Sequence, residues 1–126
     1  MDIVILLFLT SGLFLGWSLG ANDAANVFGT AVGTRMVQFT TAAIVCSIFV
    51  ILGAVISGAG AAHTLGKLGS VNALAGSFVA AFSAALTVYW MTRASLPVST
   101  SQAIVGAIIG WNLFSGSITD SNALFK

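Results

Sequence analysis

Long apolar runs are the feature that most limits what this chain can fold into. They cover residues 3–19, 37–58, 71–92 and 103–114. A helix needs about 20 apolar residues to cross the hydrocarbon core of a bilayer. The first three runs therefore predict transmembrane helices at about those bounds. The fourth is shorter and predicts a short or re-entrant helix over 98–114, so we expect three to four spans together with broken or re-entrant helices.

Charge is too scarce here for a soluble protein. Hydrophobic residues make up 58% of the 126 residues and charged residues only 6%, whereas soluble domains carry about 25% charged residues. The composition therefore predicts an all-α, multi-pass protein of the cell membrane, with the lipid bilayer as its solvent. There is no basic patch that would indicate nucleic acid. Nucleophile–base pairs, paired carboxylates and phosphate-binding loops are also missing from the sequence, so we expect neither an enzyme nor a cofactor.

The first polar stretch, GANDAANVFGTAVGT, interrupts the apolar pattern over residues 20–34. It holds Asp23, the one acidic residue between Asp2 and Asp120. An ionised carboxylate at the centre of a bilayer costs at least about 2.5–3.5 kcal/mol. Asp23 is therefore either a helix N-cap at the membrane edge or part of a site that holds a charged solute.

If this stretch is helical, Asn22, Asn26 and Thr30 share one face, because each follows the previous one by four residues. Asparagine side chains offer both donors and acceptors, whereas an aspartate offers acceptors alone. Carboxylate and carbonyl oxygens suit a hard cation such as Na⁺, and amide N–H groups suit an oxyanion. The stretch therefore predicts a site for a small charged solute.

The second polar stretch, RASLPVSTSQ, covers residues 93–102 and contains the single proline, Pro97. Proline favours the first turn of a helix, so a helix that begins here would carry several polar side chains on its first turns. Helix N-termini bind anions through unpaired N–H groups and the positive end of the dipole. The alternative is an ordinary capped membrane helix. Arg93 is either a partner for the anion or an interfacial residue that reaches toward the headgroups.

Glycines recur at four-residue spacing along the chain: Gly12, Gly16 and Gly20; Gly29 and Gly33; Gly106 and Gly110. Small residues at this spacing allow membrane helices to approach closely. The pattern predicts either helix-packing faces or surfaces that slide during a conformational change.

The two polar stretches together resemble a known family. Residues 20–34 resemble the signature of the inorganic phosphate transporter (PiT) family, which are sodium- or proton-coupled phosphate symporters. Residues 96–110, LPVSTSQAIVGAIIG, are similar to that family's second signature. The resemblance implies a fold of two homologous repeats with inverted orientation, of which this chain resembles the N-terminal one. The second half would then be missing from a fragment, be a separate polypeptide, or be an inverted copy of this chain, so the resemblance implies an oligomer or a partner chain.

The resemblance also implies site residues and an activity. Phosphate would be bound by Asn22, Asp23, Asn26, Ser99, Thr100, Ser101 and Gln102. Sodium would be bound by Asp23, Asn22, Asn26 and Thr100. The implied function is symport of inorganic phosphate with Na⁺ or H⁺ by alternating access. Two alternatives stay open, which are transport of another oxyanion such as sulfate and a membrane interaction subunit that transports nothing.

Overall fold

Four α-helices form the part of the chain, residues 3–67 and 74–116, that the computed structural model describes. They are α1 (Ile3–Gly33), α2 (Phe39–Lys67), α3 (Leu74–Arg93) and α4 (Thr100–Ser115). Within these residues α1, the Phe39–Gly60 part of α2, and α3 are long and apolar enough to cross a membrane. The prediction of an all-α membrane protein is therefore confirmed.

Helix α1 continues through the first polar stretch without a break. It has 31 residues, about 46 Å at 1.5 Å per residue, and so exceeds the roughly 30 Å core of a bilayer. The sequence predicted a span ending near residue 19. The helix continues because the stretch contains no proline and is rich in alanine, which has the highest helix propensity. Asp23 lies ten residues before Gly33, inside the helix, so the N-cap alternative is wrong.

Helix α2 also extends further than hydropathy suggested. The sequence predicted a span over 37–58, whereas the helix runs to Lys67. Gly58, Gly60 and Gly66 do not end the helix, since three alanines lie among them and the segment contains no proline. Among the residues described, α2 contacts the other helices chiefly through α1. Its side chains are almost all exposed, as suits a helix with lipid around it.

Helices α1 and α3 run parallel and pack along most of α3. Their aromatic rings meet in order, with centroid separations of 5.5 Å for Phe8–Phe78, 5.8 Å for Phe14–Phe82 and 5.8 Å for Trp17–Tyr89. The buried side chains of α1 are all polar: Ser11, Ser18 and Asn22. Serine is small, and α3 offers buried alanines in return, so the two backbones approach closely.

Helices α3 and α4 form an antiparallel hairpin whose turn covers residues 94–99. Gly76 near the start of α3 contacts Trp111 near the end of α4, and Ala80 packs with Ile108. A hydrogen bond joins this turn to Asn22. Since α1 continues for eleven residues beyond Asn22, about 16 Å, the hairpin turns back beside the interior of α1. Helix α4 has 16 residues, fewer than the about 20 that a crossing needs, and its re-entrant position stays a prediction.

None of the seven glycines of the four-residue pattern is needed for a close helix contact among the residues described. A Cβ added at any of the following would meet no atom within 4 Å: Gly12, Gly16, Gly20, Gly29, Gly33, Gly106 and Gly110. At Gly76, by contrast, the added Cβ would lie 2.8 Å from two atoms of the Trp111 ring. The close contact between α3 and α4 therefore depends on a glycine that lies outside the pattern.

Candidate functional site

Asn22 joins α1 to the hairpin turn. Its Nδ2 donates to the carbonyl oxygen of Val98 at 3.2 Å and to Oδ1 of Asp23 at 3.1 Å. Its Oδ1 accepts a hydrogen bond from the Thr92 hydroxyl at 3.3 Å. Only 4% of the residue is exposed, and its amide bonds to groups of α1, α3 and the hairpin turn. Both amide hydrogens of Asn22 are therefore engaged within the protein.

A cleft of about 250 Å³ lies between α1 and the hairpin turn, and we call it the central cleft. Its lining residues are Asn22, Ala25, Asn26, Thr92, Ser95, Leu96 and Pro97. Asn26 lies one helical turn beyond Asn22 and is exposed, as is Asp23. The cleft is therefore lined by two amide residues and two hydroxyl-bearing residues, whereas Asp23 is not among its lining residues.

The second polar stretch lies at the start of α4. Ser99 is the N-cap, with φ −84° and ψ 112°, and its hydroxyl accepts a hydrogen bond from the Gln102 backbone N–H at 3.4 Å. Pro97 precedes the cap and does not lie in the first turn, so here the structure differs from the prediction. A serine cap satisfies one orphan N–H of the first turn, which is why the helix begins after the serine.

The four predicted residues of this stretch, Ser99, Thr100, Ser101 and Gln102, follow directly after the Val98 carbonyl that binds Asn22. Thr100 is half-buried and the other three are exposed. The Asn22–Val98 hydrogen bond thus joins the two polar stretches, although they are separated by 76 positions in the chain. The structure brings together the segments that the sequence singled out.

Thr92 and Ser95 are two lining residues that sequence reasoning missed. Thr92 ends an apolar run and carries no signal of its own, since only its position beside Asn22 makes it significant. Ser95 has φ 56°, in the left-handed region. Ser95 N–H bonds Thr92 O at 3.1 Å and Leu96 N–H bonds Met91 O at 2.9 Å. This pair of bonds is the Schellman arrangement, in which glycine is the usual left-handed residue.

Ser95→Gly is expected to raise the free energy of unfolding by about 0.5–1 kcal/mol, because glycine tolerates the left-handed conformation without steric cost. Arg35→Gly is the matched control. Arg35 has φ 60° and ends α1 with the same pair of bonds, but it does not line the central cleft. Thermal unfolding in detergent would measure both variants. Both variants are expected to gain stability, because both residues have a left-handed backbone. If neither gains stability, the left-handed conformation does not strain the backbone at these positions.

A comparison with known families identifies the chain. The model of the phosphate transporter family matches residues 19–124, which include both polar stretches and the hairpin. The chain belongs to the phosphate transporter family. No solved structure matches it.

The chain is also similar to proteins provisionally named phosphate permeases. One from Chlamydia pneumoniae is 35% identical over 92% of this chain and 29% of its own length. One from Pyrococcus furiosus is 31% identical over 96% of this chain and 31% of its own. One from Mycobacterium bovis is 32% identical over 93% of this chain and 23% of its own length. The chain thus spans less than a third of the length of these relatives.

Proposed function

We propose that this chain forms half of the pathway through which inorganic phosphate crosses the membrane together with a cation. The observation that carries the proposal is the position of Asp23. It is a carboxylate inside a 31-residue apolar helix, and its partner Asn22 is tied to the turn that precedes α4. A charge in that position is costly in lipid, and binding of a solute accounts for it.

The anion is proposed to bind where the central cleft meets the start of α4. The first-turn N–H groups and the positive end of the helix dipole favour an oxyanion. The proposed phosphate ligands are Asp23, Asn26, Ser99, Thr100, Ser101 and Gln102. Because both amide hydrogens of Asn22 are engaged, Asn26 is the asparagine that donates to the anion in this proposal, and Asn22 positions the turn.

The cation is proposed to bind at Asp23, with oxygens of Asn22, Asn26 and Thr100 completing a sodium site. A cation there offsets the repulsion between the carboxylate and phosphate, so neither solute binds well without the other. A proton could couple in the same way, if Asp23 and phosphate shared it in a hydrogen bond. This mutual dependence is the proposed basis of symport.

Alternating access requires a second structural half, because a site on one repeat must open to each side in turn. Transporters commonly place such sites between inverted repeats and move one half against the other. The relatives are more than three times as long as this chain, so they have room for a second structural half. We propose that a second inverted repeat or a partner chain encloses the central cleft.

Asp23→Asn is expected to abolish cation-dependent phosphate uptake into proteoliposomes, because the amide keeps the shape but removes the charge that attracts the cation. Uptake would be measured under a sodium gradient, a proton gradient and neither. Thr10→Val is the matched control on the same helix, since the Thr10 hydroxyl bonds only to Leu7 O of its own helix. Undiminished, cation-dependent uptake by Asp23→Asn would contradict the proposal.

Two other functions would be recognised in the same assay. A sulfate transporter would show uptake of labelled phosphate that unlabelled sulfate suppresses more strongly than unlabelled phosphate does. A membrane interaction subunit would show neither uptake nor equilibrium binding of phosphate in detergent. We favour phosphate because both polar stretches lie within the matched residues 19–124.

A further inference from the structure

A second cleft lies one helical turn before the central cleft along α1, and we call it the arginine cleft. It has a volume of about 140 Å³, and its lining residues are Trp17, Ser18, Ala21, Tyr89, Thr92 and Arg93. Thr92 lines both clefts, and its hydroxyl forms the hydrogen bond to Asn22. The two clefts are therefore neighbours on either side of one side chain.

Arg93 provides a cationic group that the lining residues of the central cleft lack. Its Nε donates to the Tyr89 hydroxyl at 3.1 Å, and its guanidinium carbon lies 5.4 Å from the centre of the Tyr89 ring. These contacts hold the Arg93 stem beside Tyr89. The hydrogen bond to Tyr89 uses Nε and leaves the two terminal NH₂ groups out of it. A guanidinium fork of this kind binds tetrahedral oxyanions through two parallel hydrogen bonds.

Ser18 is an independent sign of a ligand in the arginine cleft. The residue is 2% exposed, and its hydroxyl has no hydrogen-bond partner among the residues the structure describes. Buried hydroxyls normally have a partner, and serines inside helices often bond to their own backbone. Ser18 is a lining residue of the cleft, so a rotation about its Cα–Cβ bond would bring the unpartnered hydroxyl to an oxygen of a bound anion.

The end of α3 carries the negative end of the helix dipole, which the Arg93 guanidinium offsets. The carbonyls of Trp90, Met91 and Thr92 accept bonds of 2.9–3.1 Å from the N–H groups of the following turn, so they present fewer unpaired acceptors to the cleft. The volume also fits. About 140 Å³ is several times the roughly 10–15 Å³ that one water needs in a cavity, so there is room for phosphate with its five heavy atoms.

We infer that the arginine cleft is a second binding site for inorganic phosphate, from which the anion passes by Thr92 into the central cleft. The inference rests on the proposed function and adds a site to its path.

Arg93→Gln is expected to raise the KM for phosphate uptake about tenfold while the maximal rate stays close to that of the wild type. Arg93→Lys is expected to restore part of the affinity, because it returns the charge without the fork. Arg35→Gln is the matched control. It makes the same change at an exposed arginine after α1 that lines neither cleft. Equal KM values for the Arg93 and Arg35 variants would overturn the inference.

Trp17 offers a direct readout of binding because its ring lines the arginine cleft. Adding inorganic phosphate to protein in a phosphate-free detergent is expected to change tryptophan fluorescence. The change should be absent in Trp17→Phe and shifted to higher phosphate concentration in Arg93→Gln. No change in the wild type, or a change that appears only with phosphatidylglycerol vesicles, would overturn the site for inorganic phosphate. A wild type that takes up no phosphate would contradict the proposed function itself.

Discussion

Asn22→Ala is expected to lower the rate of phosphate uptake about 100-fold. The substitution removes the bonds to Val98 O and to the Thr92 hydroxyl and leaves part-buried polar groups without partners, at about 1–3 kcal/mol each. A loss of about 2.7 kcal/mol corresponds to a factor of 100 in rate. Uptake into proteoliposomes, corrected for the amount of folded protein, would measure the effect.

The comparison with Asn26→Ala separates positioning from binding. Asn26 lines the same cleft but is exposed, so its loss should raise the KM and leave the hairpin turn in place. Cysteines introduced by Ala25→Cys and Leu96→Cys, in a background with Cys46→Ser, would report the position of the turn. We expect short cross-linkers to join them efficiently unless Asn22 is also replaced. Unchanged uptake and cross-linking in Asn22→Ala would contradict the anchoring role.

Gly76→Ala is expected to destabilise the fold by about 1–3 kcal/mol, the usual cost of overpacking a close contact. The new Cβ would lie 2.8 Å from ring atoms of Trp111, and alanine's better helix propensity offsets only part of this cost. Gly53→Ala is the matched control, because the space around Gly53 is open to 4 Å among the described residues. Thermal unfolding in detergent would compare the two.

The Gly76 prediction has a second test in the partner side chain. Trp111→Phe combined with Gly76→Ala should recover stability relative to the sum of the single changes, because the smaller ring makes room for the methyl group. Residues in contact show such coupling in double-mutant cycles. If Gly76→Ala unfolds at the same temperature as Gly53→Ala, the contact between α3 and α4 is not as close as the structure indicates.

Hydropathy predicted where the helices lie better than where they end. It measures how apolar a segment is, and it treats polar residues such as Asn22 and Asp23 as interruptions. The backbone responds instead to helix propensity, and alanines with no proline nearby allow α1 to reach Gly33. The same difference explains α2, which continues through several glycines to Lys67, beyond the apolar run that ends at residue 58.

The polar stretches were recognisable because their residue types have few structural uses in lipid. Asp23 is costly in a membrane whatever the fold, so its functional interpretation needed no coordinates. Thr92, Ser95 and Ser18 are different, because hydroxyl residues occur routinely in membrane helices and bond to their own backbone. Their significance comes from lining the two clefts, which depends on how the helices are packed.

The sequence by itself determined the solvent, the class of fold and the two polar stretches, because these follow from composition and from local chemistry. Only the tertiary structure decided that Asn22 bonds to Thr92 and Val98, which lie 70 and 76 positions away. It likewise decided that Gly76, and not the regularly spaced glycines, contacts a neighbouring helix. Such pairs depend on the axial register of α1, α3 and α4. That register is set by the packing of whole helices, which no single residue or short motif encodes.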